Sequence, residues 1–232
     1  MPCNKKKFIF FLFILLSLVA MLWMLFYGAS YSYQNAACFY NQESTNCLLE
    51  SKEWQEGRSV FYNELQTNKD TLNALIKVLY ETWNIDFDSS NALSSLYPLE
   101  VLKTQKAGCM GFAWLSLMLA EEFGFSLEVV MLPAHVFLRY NGINLEPNRK
   151  AHTYSDREYQ EKYKEGPWTG LEWKALSKKE FLGLVAFNIG NHFMYSDSKQ
   201  ALVWYKMAKS LFPAYPGISI NRNWILQNTP KE

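Results

Sequence analysis

Cys109 is the residue of this chain best placed to do chemistry. It follows Gly108 and opens an apolar run, Cys109–Phe123, that Gly124 ends. The thiolate is the nucleophile, and a helix N-terminus or a nearby imidazolium lowers a thiol pKa from about 8.5 to between about 3.5 and 7.5. A base must then reach the thiol, and a third group must orient the base. The chain has three histidines: His135, His152 and His192. His135 stands in a β-forming run and is the candidate base. His152 falls in a loop and His192 inside a helix, and neither is assigned a role. Glu146 and Asn148 are the candidate orienting groups. The backbone N–H of Cys109, with Gln105 as a second donor, is the candidate oxyanion site. Bland readings stand beside these. A free cysteine is most often an inert buried thiol. A lone strand histidine is usually structural, and Glu146 would pair equally well with Arg139. The case for function is that thiol, helix start, histidine and carboxylate all fall in one short stretch.

Other chemistries find no motif. There is no CxxC pair, HxxxH or HExxH, so zinc has no support. There is no GxxxxGK or GxGxxG, so nucleotide binding has none, and no cofactor is expected. Lys+Arg is 23 against 22 Asp+Glu, a net charge of +1, which excludes a strongly basic nucleic-acid footprint. A 49% hydrophobic content excludes an acidic disordered chain.

The elements that must hold Cys109 and His135 can be read from periodicity. The run from Cys109 is apolar almost all round, as a buried helix is. Cys109, Ala113, Ser116 and Ala120 give it one small-residue face for close approach to a sheet. Glu121 and Glu122 in its last turn oppose the macrodipole and carry no assigned role. Residues 126–132 are rich in β-formers. Residues 135–140 and 143–146 flank Asn141-Gly142, the strongest short hairpin signal. A two-residue turn sets Tyr140 opposite Ile143, Phe137 opposite Glu146 and His135 opposite Asn148. His135, Phe137, Arg139, Asn144, Glu146 and Asn148 then share one face, with Glu146 diagonal to His135. Upstream, residues 70–84 read as a helix capped by Asp70, and residues 99–106 as a short helix.

The N-terminus reads as a membrane anchor. Residues 8–27, FIFFLFILLSLVAMLWMLFY, carry no charge. About 20 helical residues span roughly 30 Å of hydrocarbon, more than a secretory h-region needs. This length favours an uncleaved anchor over a cleaved signal. Lys5, Lys6 and Lys7 precede the run and are the only charged side chains before Glu43. They place the N-terminus in the cytoplasm and the rest of the chain on the extracytoplasmic, periplasmic side. There a disulfide persists, and Cys38 and Cys47 bracket a polar loop that they could close. Cys109 is then the odd thiol.

The stretch AGCMGFAWLSLMLAEEFGFSLEVVMLPAHVFLRYNGINLEP resembles the core of the transglutaminase-like, papain-like cysteine superfamily. The nearer resemblance is to a bacterial branch with a short His-to-acid spacing and a following S-D-x-x-Y element, here Ser155, Asp156 and Tyr159. The resemblance implies an α+β fold, with the Cys-bearing helix packed on a small antiparallel sheet. It implies Cys109 as nucleophile, His135 as base and Glu146 as the acid. Glu146 stands where the superfamily more often has Asp, and Asn148 stays open as the orienting group. Members of this branch include proteins with no established enzyme activity, so the resemblance bears on fold more than on reaction.

Beyond this core, residues 178–195 and 198–211 form a helical hairpin. Asn188, Ile189, Gly190, Phe193, Ala201, Tyr205, Ala208 and Pro213 resemble one tetratricopeptide repeat, one residue short between Gly190 and Ala201. An ordinary amphipathic hairpin fits equally well. One repeat cannot bury its own apolar face, so it must pack on the core or continue into residues 218–227. The expected organisation is an anchor over 1–30, a tether over 31–56, a transglutaminase-like domain over 57–175 and tetratricopeptide-like helices over 176–232. Two function classes follow. One is a membrane-anchored cysteine hydrolase or acyl transferase on peptide or amide bonds, with a peptide or protein substrate. The other is a non-catalytic module that binds a peptide or protein partner, with the C-terminal helices as a partner surface.

Overall fold

The computed structural model describes residues 32–42 and 47–228. The expected anchor over residues 8–27 lies outside the described residues. No helix among the described residues is long and apolar enough to cross a membrane.

Within residues 32–42 and 47–56 of the expected tether, the structure describes helical segments. Helix α1 (Tyr33–Tyr40) is capped by the Ser32 hydroxyl, which accepts the Asn35 N–H, and it buries Tyr33, Ala36, Ala37, Cys38 and Tyr40. The Cys38–Cys47 disulfide, foreseen from the cysteine spacing, follows it. Only two helical turns stand between cap and disulfide, too few for the period to show against polar flanks. What stabilises α1 is long-range. The Trp114 indole donates to the Tyr33 carbonyl at 3.0 Å, and Glu121 accepts the Tyr33 N–H at 2.7 Å. Glu122 takes the Gln34 amide at 2.9 Å and pairs with Arg58. The two glutamates with no role in the sequence reading therefore bind the N-terminal helices to the core.

Helix α2 (Lys52–Asn68) leads to α3 (Thr71–Lys77), which Asp70 caps as expected. The expected helix does not run on unbroken. Residues Val78–Thr82 form a wide π turn, closed by the Trp83 N–H on the Val78 carbonyl. The extra residue turns Trp83 toward α2. There it stacks on Trp54 at 5.6 Å and donates to the Glu53 carbonyl at 2.7 Å. A Cβ on Gly57 would lie 2.3 Å from that indole, so only glycine fits. Strand β1 (Asp86–Phe87) pairs in parallel with β2 (Lys106–Ala107), and a 3-10 turn (Leu93–Ser95) and α4 (Pro98–Thr104) lie between them.

Helix α5 spans Cys109–Phe123, as the sequence predicts, and Gly124 ends it in the left-handed conformation. Three antiparallel strands follow: β3 (Glu128–Leu132), β4 (His135–Tyr140) and β5 (Ile143–Leu145). Asn141 and Gly142 both take positive φ, as a tight hairpin turn requires. Up to Leu145 the register is the expected one, with Tyr140 opposite Ile143, Arg139 opposite Asn144 and Leu138 opposite Leu145. The ladder stops there, so the expected pairings of Phe137 with Glu146 and of His135 with Asn148 do not form: Glu146 bridges to His152 and caps a 3-10 turn over Pro147–Arg149. Val129, Met131, Val136, Leu138 and Leu145 join the main core with α5. Val130, Leu132 and Phe137 form a second cluster with Tyr159 of α6 (Asp156–Tyr163).

Helices α7 (Lys178–Phe193) and α8 (Ser198–Leu211) pack as a hairpin, and α9 (Pro216–Asn228) follows. A third helix follows the hairpin, and the hairpin shares the main core with α1 and α5.

Candidate active site

Gly108 is the N-cap of α5 and supplies no capping side chain. A helix start of this kind leaves its first N–H groups without intrahelical partners. The 3-10 turn fixes this end. The Ser95 carbonyl accepts the Gly108 N–H at 2.9 Å. A Cβ on Gly111 would meet that same oxygen at 2.3 Å. Glycine at 111 thus lets the backbone of the 3-10 turn lie against the helix beside Cys109. Cys109 is a free thiol and half-buried.

His135 starts β4 and is 7% exposed. Its Nε2 lies 2.9 Å from Oε2 of Glu146, whose side chain is 1% exposed. Of Glu146 and Asn148, Glu146 is the one whose side chain reaches the His135 ring. Asn148 contributes its backbone N–H, which donates to the other Glu146 oxygen at 3.1 Å. Arg139 does not compete for Glu146. Its Nε donates to Asn144 at 2.8 Å, and it pairs with Asp156.

The Glu146 carboxylate collects further support. The Tyr159 hydroxyl donates to Oε2 at 3.1 Å. The backbone is held by the Glu146 N–H on the His152 carbonyl and by Tyr80, whose hydroxyl donates to the Pro147 carbonyl at 2.9 Å. His152 therefore serves through its backbone. On the other side, the Tyr163 ring lies parallel to His135, with centroids 5.3 Å apart and planes within 5°.

Burial by itself would lower the His135 imidazole below its usual 6.5. The Cys109 side chain and the Glu146 carboxylate outweigh it and push His135 up to about 9. Burial would likewise raise Glu146. The hydrogen bond and charge of His135, with the Asn148 N–H and the Tyr159 hydroxyl, overcome this and hold it below the usual carboxylate range. With Nε2 on the carboxylate, Nδ1 is the nitrogen left for the thiol. A charged imidazole beside a thiol can hold a thiolate at neutral pH and return a proton to a leaving group.

Cys109 and His135 both line a cavity of about 460 Å³. The opposite wall comes from α7 through Leu184, Phe187, Asn188, Asn191 and His192. Sequence reasoning gave this face no part in the site, because an apolar stripe on a helix looks the same whether it faces core or cleft. Tyr163 was also missed. Gln105 does not fill the role expected of it: it is exposed, donates to the Trp83 carbonyl at 3.3 Å and does not line the cavity. It ends α4 in the left-handed conformation, with a φ of +56°. Among the described residues no cluster of three His, Cys, Asp or Glu could hold a metal ion.

No curated protein and no solved structure matches the chain significantly. The family model of the transglutaminase-like superfamily matches residues 47–182, a span that contains Cys109, His135, Glu146 and Tyr159. That span is more than half of the chain, and it makes the protein a member of the transglutaminase-like superfamily.

Proposed function

We propose that this protein is a membrane-anchored thiol hydrolase or acyl transferase acting on peptide or amide bonds outside the cytoplasm. The observation that carries the reading is the buried His135–Glu146 pair beside a free thiol at a helix start, opening on a cleft. In this reading the Cys109 thiolate attacks the substrate carbonyl carbon. The carbon–oxygen π pair moves onto oxygen, toward the free N–H groups at the start of α5. The intermediate collapses, the carbon–nitrogen bond breaks, and the His135 imidazolium gives its proton to the departing amine. Water or a second amine then attacks the thioester while His135 takes up its proton, and the thiolate is released. Glu146 keeps the imidazole oriented throughout and favours its charged form whenever it holds the proton.

The uncharged run over residues 8–27, the lysines before it and the Cys38–Cys47 disulfide support an anchored protein in an oxidising compartment. The test is to trap the thioester. The full chain, given a peptide p-nitrophenyl ester, should gain the acyl mass on Cys109 and lose it to hydroxylamine. Cys109→Ser should gain no hydroxylamine-labile adduct. An intact wild-type chain that never acylates would contradict catalysis and favour the peptide- or protein-binding reading, with α7–α9 as the partner surface.

A further inference from the structure

The chemistry of the cleft wall narrows the substrate. Among the described residues, no Asp, Glu, Lys or Arg lines the cavity. Its apolar lining includes Leu93, Leu96, Met110, Met131, Leu184 and Phe187. The volume of about 460 Å³ falls in the range of ligand pockets, about 300–1,000 Å³. Two amides complete the α7 wall. The Asn191 oxygen accepts the Tyr205 hydroxyl at 2.8 Å and the Asn221 amide at 2.7 Å, which leaves its N–H donors for an occupant. Asn188 donates to the Leu184 carbonyl at 2.8 Å, which leaves its side-chain oxygen as an acceptor.

A charged side chain entering this cleft would lose water and meet no counter-charge. His135 at its floor is already shared between Glu146 and Cys109. His192 is exposed at the rim. An apolar side chain, in contrast, gains from leaving water, while a donor and an acceptor amide suit the backbone of a peptide. Resting on the acyl-transfer reading above, we propose that the cleft between α5 and α7 selects acyl donors whose residue at the scissile carbonyl is uncharged and apolar, with Leu184 and Phe187 holding its side chain and Asn188 and Asn191 its backbone.

The test uses the full chain and four N-acetyl-aminoacyl chloromethyl ketones, built on Leu, Phe, Lys and Asp. In each the Cys109 sulfur displaces chloride from the methylene carbon and a thioether forms, read as a mass on the Cys109 peptide. The Leu and Phe reagents should label about 100-fold faster than the Lys and Asp reagents, the order of discrimination an apolar pocket gives. Rates within about 3-fold of one another, far less than such a pocket gives, would overturn the proposal and leave the acyl-transfer reading standing. A folded chain that no reagent labels would overturn both. Asn191→Asp retains two oxygens for Tyr205 and Asn221 and puts a carboxylate in the wall. It should speed the Lys reagent about 10-fold and slow the Asp reagent. A folded Asn191→Asp chain with unchanged ratios would overturn the assignment of α7 as the selecting wall.

Discussion

One carboxylate, Glu146, gathers the groups that set the site. It receives the His135 ring, the Tyr159 hydroxyl and the Asn148 N–H while almost wholly buried. Glu146→Gln preserves its shape and removes its charge. His135 should then titrate well below about 9 in an NMR pH series, and turnover should fall about 10- to 100-fold, as when an orienting carboxylate is lost. An unmoved His135 titration would show that the carboxylate does not set its charge. Tyr159→Phe removes one hydrogen bond to that buried charge and should cost about 1.5–3 kcal/mol in urea unfolding. The wild-type midpoint would speak against the bond. Cys109, His135 and Glu146 were legible in the sequence because a helix start and an Asn-Gly turn fix their positions locally. Tyr163 was not. Its contact with His135 depends on where α6 docks after a loop, and nothing near Tyr163 in sequence encodes that.

At the scale of elements, the long helix α5 and the β4–β5 hairpin carry strong local signals, and the structure reproduces their bounds or register. Helix α1 carries a weak one. Two turns cannot hold themselves, and their stability comes from Trp114, Glu121 and Glu122 far along the chain. The disulfide at its end closes a loop with a separation of 9 residues. Loop-closure entropy for so short a ring gives about 2–3 kcal/mol. Reductant should therefore lower the melting temperature of the wild type and leave a Cys38→Ser/Cys47→Ser chain unchanged. Equal melting curves with and without reductant would contradict this. Gly111 tests the contact that fixes the thiol. Alanine there meets the Ser95 carbonyl at 2.3 Å. Overpacking against backbone costs up to about 3 kcal/mol, and alanine's helix propensity returns about 1. The net loss should be about 1–2 kcal/mol, with slower Cys109 alkylation, whereas a stabilised Gly111→Ala chain would refute the close contact.

Over the whole molecule, one apolar core runs from Tyr33 to Ile225, so the C-terminal helices are built into the domain that carries the thiol. This is why α7 can wall the cleft. The pH dependence of stability also belongs here. His135 is raised above its free value of 6.5 to about 9. Its protonation therefore stabilises the fold fully below about pH 6.5, and that contribution is lost as pH rises through about 9. Glu146, held low, acts in the opposite direction and loses its contribution as pH falls below the ordinary 4.5. Urea midpoints should decline between pH 6.5 and 9 in the wild type and stay flatter in His135→Gln. Parallel declines would assign the loss to other groups. The proposed anchor predicts that the full chain stays in the membrane pellet after carbonate washing and that a C-terminal reporter is active only outside the cytoplasm. A cytoplasmic signal would reverse the topology.

The most direct test of the account is the rate at which iodoacetamide alkylates Cys109 as a function of pH. With the His135 imidazole beside it, Cys109 should be alkylated at a rate that follows the state of that ring. His135→Ala should change the rate and its pH profile, and Glu146→Ala should change them less, because the carboxylate acts through the ring. A Cys109 that reacts slowly at every pH, or whose profile ignores His135→Ala, would contradict the pairing of thiol and imidazole on which the account rests.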